Sequence, residues 1–158
     1  VQVCLSKGLG APVGSMVAGS EEFVAEARRL RKMLGGGVRQ GGVLAAAGLV
    51  ALDRVDRLAE DHAKAATLAA GLAERGWAVS APQTNIVLVA VADLAGTLER
   101  FEQAGVRATP RAGRVRLMTH ADVSEADITA ALERIGQVEA GRGGVTVPAP
   151  RSLRLCSA

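Results

Sequence analysis

One lysine in a glycine-rich turn is the group in this chain whose surroundings in sequence best suit covalent chemistry. Lys7 lies in Leu5-Ser6-Lys7-Gly8-Leu9-Gly10-Ala11-Pro12-Val13-Gly14-Ser15, between the apolar runs Val1 to Leu5 and Val13 to Ala18. That layout predicts a strand end where the chain reverses, which is where α/β proteins place their chemistry. The glycines let the backbone take positive φ and approach a ligand closely, while Pro12 stiffens the exit. An amine held there can trap a carbonyl compound. The same residues also describe a solvated turn lysine between two strands, and a short glycine motif alone does not decide between the two.

Further basic residues accompany glycines or strands. Arg28, Arg29, Arg31 and Lys32 form a basic helix face just before Gly35-Gly36-Gly37, and Arg39 sits in the continuing interruption Val38-Arg39-Gln40-Gly41-Gly42. The face is either solvated or attracts a phosphate; the bare backbone is either a linker or a close approach to a ligand or second subunit. In Arg114 to Thr119, alternation sends Val115, Leu117 and Thr119 one way and Arg114, Arg116 and Met118 the other. His62 and His120 lack partners at zinc-site spacing, so no metal site is expected. Cys4 belongs to a strand read as buried and Cys156 to the tail, with no CxxC spacing.

Composition narrows the classes. A hydrophobic content of 49% and a charged content of 22% suit a globular chain, and aromatic residues at 2% leave little to stack on bases, which argues against a nucleic-acid partner. The net charge of +3 suits an anionic small molecule as well as a polyanion. The run Gly41 to Leu52 is too short to span a bilayer and the N-terminus lacks a signal-peptide layout, so a soluble, cytoplasmic protein without a membrane partner is expected.

These groups need elements to position them. Ser20 predicts the cap of a helix to about Leu34 with Phe23, Ala27, Leu30 and Leu34 on one buried face. An apolar helix over Val43 to Leu52 and a long helix from about Val55 to Arg75 follow, the latter with Leu58, His62, Ala65, Leu68, Ala69 and Leu72 along its packing stripe. The period then shortens to strands at Trp77 to Ser80, at Thr84 to Val91 (read as buried on both faces) and at Val106 to Thr109, with Arg114 to Thr119 as the fourth. Helices are predicted from Leu94 to Ala104, capped by Asp93, and from a Ser124–Asp127 capping box to about Val138. The second half therefore reads as a helical layer on a mostly antiparallel sheet.

Three blocks in this order, CLSKGLGAPVGSMVAGS, RRLRKMLGGGVRQGGVLAAAGLVAL and RVRLMTHAD, resemble segments of the low-specificity L-threonine aldolases, and the resemblance runs from Val1 to about Val138. It implies an α/β and α+β chain: residues 1–54 the end of a fold type I, PLP-dependent transferase-like large domain, 55–76 a linking helix, 77–138 a small C-terminal domain, and 139–158 a disordered tail. By the resemblance, Lys7 holds pyridoxal 5'-phosphate as a Schiff base. Water favours the protonated amine, so such a site must favour the neutral form, as neighbouring cations and desolvation both do. Ser6 either touches that cofactor or is an ordinary strand serine. Arg39 and Lys32 match positions near the cofactor phosphate or a subunit boundary.

Arg116 matches the arginine that clamps the substrate α-carboxylate, a task suited to a planar guanidinium. The activity implied is retro-aldol cleavage of L-threonine or L-allo-threonine, a β-hydroxy-α-amino acid, in a homo-oligomer. The upstream cofactor-binding segments of that family are absent from this sequence, so the chain alone is expected to be inactive. A serine hydroxymethyltransferase-like or β-eliminating reaction in the same cofactor class is an alternative, and so is a non-catalytic basic binding module.

Overall fold

A computed structural model of the chain describes residues 1–140, the side chains of 138–140 excepted. The tail expected over 139–158, with Cys156, lies outside the described residues from position 141 on. The chain divides into two compact units, one of Val1–Leu58 and one beginning at Ala59.

In the first unit, strands β1 (Gln2–Cys4) and β2 (Ser15–Val17) form an antiparallel pair with Val3 opposite Met16. Helix α1 (Glu21–Met33) starts where the Ser20 hydroxyl accepts from the Phe23 amide, with Glu21 and Glu22 in its first turn, so cap and dipole agree with the sequence. Gly35, at φ 79°, ends it. Helix α2 (Gly42–Leu52) follows, then a single 3-10 turn at Val55–Arg57. The core here is small: Leu5, Leu9, Ala11 and Ala51, with Leu58 packed against them.

The buried face expected on α1 is not buried. Phe23, Leu30 and Leu34 are exposed, because no described residue covers them; periodicity locates an apolar face but says nothing of what lies on it. Cys4 is half-buried rather than buried, since β1 has a single partner strand.

The second unit follows the pattern read from the sequence more closely. Helix α3 (Leu58–Glu74), strands β3 (Ala78–Ser80) and β4 (Ile86–Ala90), helix α4 (Leu94–Gln103), strands β5 (Thr109–Arg111) and β6 (Arg114–Met118) and helix α5 (Glu125–Ala140) occur in that order. The sheet runs β3-β4-β6-β5 with every neighbouring pair antiparallel. Val87, Val89, Val115 and Leu117 on one face join Leu68 and Leu72 of α3, Phe101 of α4 and Ile128, Leu132 and Ile135 of α5 in one core. Trp77 meets Phe101 edge to face at 5.4 Å. Among the described residues no helix is long and apolar enough to cross a membrane.

Three readings need correction here. The strand expected over Val106 to Thr109 lies instead at Thr109–Arg111, because the two-residue turn Ala112–Gly113 fixes its register against β6 and sets Thr109 opposite Arg116. Pro110, which lacks an amide donor, is tolerated because β5 is an edge strand. Strand β4 is buried on one face only, with Ile86, Leu88 and Ala90 half-buried on the other, since all three helices contribute to the core on the first face. His62 is exposed, not packed. The buried face of α3 runs through Asp61, Lys64, Ala65, Leu68 and Leu72, one helical step away from it.

The face of the sheet opposite the core is defined by register. Ser80, Leu88, Arg116 and Thr109 form one row across it, and Ala78, Ala90, Arg114 and Arg111 the next.

Candidate active site

The turn from Leu5 to Gly14 is shaped by which of its residues are buried. Leu5, Leu9 and Ala11 pack into the small core, and the residues between the two leucines are pushed outward, so Ser6 and Lys7 are exposed while Gly8 is half-buried. Backbone bonds brace the turn: Leu5 N donates to Gly14 O at 3.0 Å, Gly10 N to Lys7 O at 2.8 Å and Ala11 N to Leu5 O at 2.9 Å. The Arg57 guanidinium donates through Nη2 to Gly8 O at 2.7 Å.

Gly8 sits close to the end of the Leu58 side chain, which would have to shift for a larger residue. A Cβ there would lie 2.8 Å from Leu58 Cδ2. Gly10 and Gly14 instead supply positive φ, at 79° and 130°. The outcome is an accessible amine on a turn held from beneath by apolar packing and from the side by an arginine.

Lys32, in the last turn of α1, and Arg39 lie on either side of the second glycine run. Both are exposed. The Lys32 side chain lies over Gly37, where an added Cβ would be 3.3 Å from its Cδ and 3.4 Å from its Nζ. Gln40, next to Arg39, has φ 51°, an uncommon conformation for a residue with a side chain. Lys7, Ser6, Lys32 and Arg39 thus share the first unit, and Arg116 belongs to the second.

Arg116 lies on the face of the sheet opposite the core and is half-buried. Its Nη1 donates to Thr109 Oγ1 at 3.4 Å and its Nη2 contacts Met118 Sδ, while its buried Nε has no partner among the described residues. A guanidinium with such weak acceptors and an idle donor is suited to a carboxylate. Just beyond β6, Lys64 Nζ pairs with Asp61 Oδ1 at 2.9 Å and donates to His120 O and Val123 O at 2.9 and 2.8 Å. The Thr119 hydroxyl donates to Asp61 O at 2.6 Å. This buried set fixes the loop that leaves the arginine strand.

Sequence reasoning missed both anchors. Asp61 and Lys64 at i, i+3 inside an apolar stripe were the available clue, whereas nothing local links Arg57 to Gly8 across 49 positions.

Comparison with known proteins shows the family to which the chain belongs. The beta-eliminating lyase family matches residues 1–94. The low specificity L-threonine aldolase of Escherichia coli K12 is 47% identical over 127 residues, covering 77% of this chain and 37% of the relative. Low-specificity L-threonine aldolase 1 of Arabidopsis thaliana is 42% identical over 138 residues, covering 81% and 38%. The chain therefore spans less than two fifths of the length of these relatives. Among solved structures, serine palmitoyltransferase from Sphingomonas wittichii superposes with a TM-score of 0.70 over 89% of this chain and 39% of that one, at 18% identity. That likeness is one of fold, and it is the fold type I class expected from the resemblance.

Proposed function

This chain belongs to the beta-eliminating lyase family, and on that premise we propose that it is part of a pyridoxal phosphate-dependent carbon-carbon lyase of threonine aldolase type. The reaction is retro-aldol cleavage of L-threonine or L-allo-threonine to glycine and acetaldehyde. The observation that carries this reading is the exposed Lys7 amine at the apex of a turn whose flanking Leu5 and Leu9 are buried.

The residues present fit the cofactor. An aldehyde requires an accessible primary amine, which Lys7 offers, and a phosphate requires cations, which Arg39 and Lys32 offer beside a bare glycine backbone. Ser6, exposed next to Lys7, is a hydroxyl donor for the same ligand. When bound, pyridoxal phosphate supplies the aldehyde and an electron sink for Cα–Cβ cleavage. Arg116 holds the substrate α-carboxylate through its guanidinium fork and so fixes which way the amino group points. Lys7 would hold the cofactor through its amine, and the same amine could take up or return a proton there. Residues 1–54 serve the cofactor, 77–138 the substrate, with the helix over 55–76 linking them. The working enzyme is a cytoplasmic homo-oligomer that binds neither nucleic acid nor membrane, and the chain by itself does not turn over threonine.

The test is covalent. The chain is mixed with pyridoxal phosphate, reduced with borohydride and digested, and the modified peptide is identified by mass. The expected adduct lies on Lys7 and disappears in Lys7→Ala; an adduct confined to Lys32 overturns the assignment. Acetaldehyde released from threonine by the chain alone would overturn its inactivity.

A further inference from the structure

The face of the second sheet opposite the core concentrates positive charge without any balancing acid among its register positions. Arg111 and Arg114 are direct cross-strand partners on either side of the turn Ala112–Gly113, whose residues both have positive φ, 47° and 72°. Arg116 stands two residues further along the same face, opposite Thr109. No Asp or Glu occupies any position that the register gives to this face. Among the described residues none of the three arginines forms an ion pair.

Such an arrangement is unfavourable in isolation. Like charges directly opposite one another destabilise a strand pair, and Arg111 and Arg114 are such a pair, closing a two-residue turn. Their donors meet only weak acceptors: Arg114 Nη1 reaches Ser80 Oγ at 3.3 Å, and Arg116 reaches Thr109 Oγ1 at 3.4 Å with its Nε unpaired. The guanidinium plane presents paired N–H groups that match a carboxylate. Strand rise separates Arg114 from Arg116 by about 7 Å, a span that one small molecule can bridge.

We propose that Arg111 and Arg114 form a second carboxylate site beside Arg116, so that this chain takes an amino acid whose side chain ends in an acidic group. The proposal rests on the reading of Arg116 as the α-carboxylate residue. It extends the substrate class beyond hydroxy-amino acids with neutral side chains.

The experiment uses the whole chain with isotope-labelled arginine, titrated with L-glutamate and with its neutral isostere L-glutamine while the individual arginine Nε–Hε signals are followed by NMR. Glutamate is expected to shift Arg111, Arg114 and Arg116, and glutamine Arg116 alone, with glutamate bound about ten-fold more tightly, the scale of one charge-assisted hydrogen bond. In the double variant R111Q/R114Q, whose fold is checked on its amide spectrum, that preference should vanish while glutamine binding persists. Equal affinity for the two ligands, unmoved Arg111 and Arg114 signals, or a preference that survives the double variant would each overturn the second site. A still Arg116 signal with moving Arg111 and Arg114 signals would instead overturn the α-carboxylate reading and leave an independent anion site.

Discussion

The two units solve the burial problem differently. From Ala59 onward, twelve buried apolar residues among those described close into one core, with Leu72, Val87, Val89 and Val115 fully shielded. In Val1–Leu58 the core holds four such residues, while Leu34 and Val43 remain 81% and 78% exposed and Met16, Val17, Phe23 and Leu49 also face outward. The second unit thus closes a core of its own, whereas the first leaves several large apolar side chains exposed. Its turn with Lys7 is nevertheless firmly built, because that turn sits on the little core there is.

Core truncation should break the comparison most visibly. Phe101→Ala removes a buried ring and its edge-to-face contact with Trp77, and is expected to cost about 3–5 kcal/mol in denaturant unfolding of the second unit. Leu30→Ala on the exposed face of α1 should change stability by less than about 0.5 kcal/mol; equal effects would erase the distinction. Next comes Lys64→Met, which removes the ammonium shared by the Asp61 carboxylate and the carbonyls of His120 and Val123 and should cost about 1–3 kcal/mol. The loss should show in urea melts and in faster amide exchange at His120 to Val123.

Smaller effects sharpen the contrast between caps. Ser124→Ala breaks a reciprocal box, in which the Asp127 amide donates to the Ser124 hydroxyl and the Ser124 amide to the Asp127 carboxylate, and should cost about 1 kcal/mol. Ser20→Ala, which loses a single 3.3 Å bond on a helix with no buried residue, should cost less by the same measurement.

The smallest effect is one of pH. The Ser124 hydroxyl, and then its amide, hold the Asp127 carboxyl below the usual aspartate range. A folded-state pKa below the unfolded one contributes stability that is present at neutral pH and lost as pH falls through the lowered value. Thermal melts between about pH 5 and pH 2 should therefore fall more steeply for the unaltered chain than for Asp127→Asn.

What the sequence made legible was local. The caps at Ser20, Asp93 and Ser124 depend on residues three positions apart, and the alternation in Arg114 to Met118 depends on residues two apart, so each could be read directly. What escaped was set by partners distant in sequence. The true position of β5 follows from its pairing with β6, the exposure of His62 from a helix face centred on Asp61 and Lys64, and the bracing of Gly8 from Arg57. Within the candidate site the turn around Lys7 was legible from its glycines and the two apolar runs that flank it, all adjacent in sequence. The pairing of Arg111 with Arg114 required the hairpin register before it could be seen.

The buried Lys64 ammonium also bears on how the chain would meet an aldehyde in solution. The sequence contains three lysines, Lys7, Lys32 and Lys64. All three N–H donors of Lys64 are engaged, by Asp61, His120 and Val123. Its nitrogen has no free lone pair to offer without dismantling that loop. Among the lysines, chemoselectivity toward a carbonyl reagent is thus reduced by the fold itself to a contest between Lys7 and Lys32, so even a crude labelling reagent should mark the Lys7 turn or the Lys32 turn before it marks the second unit.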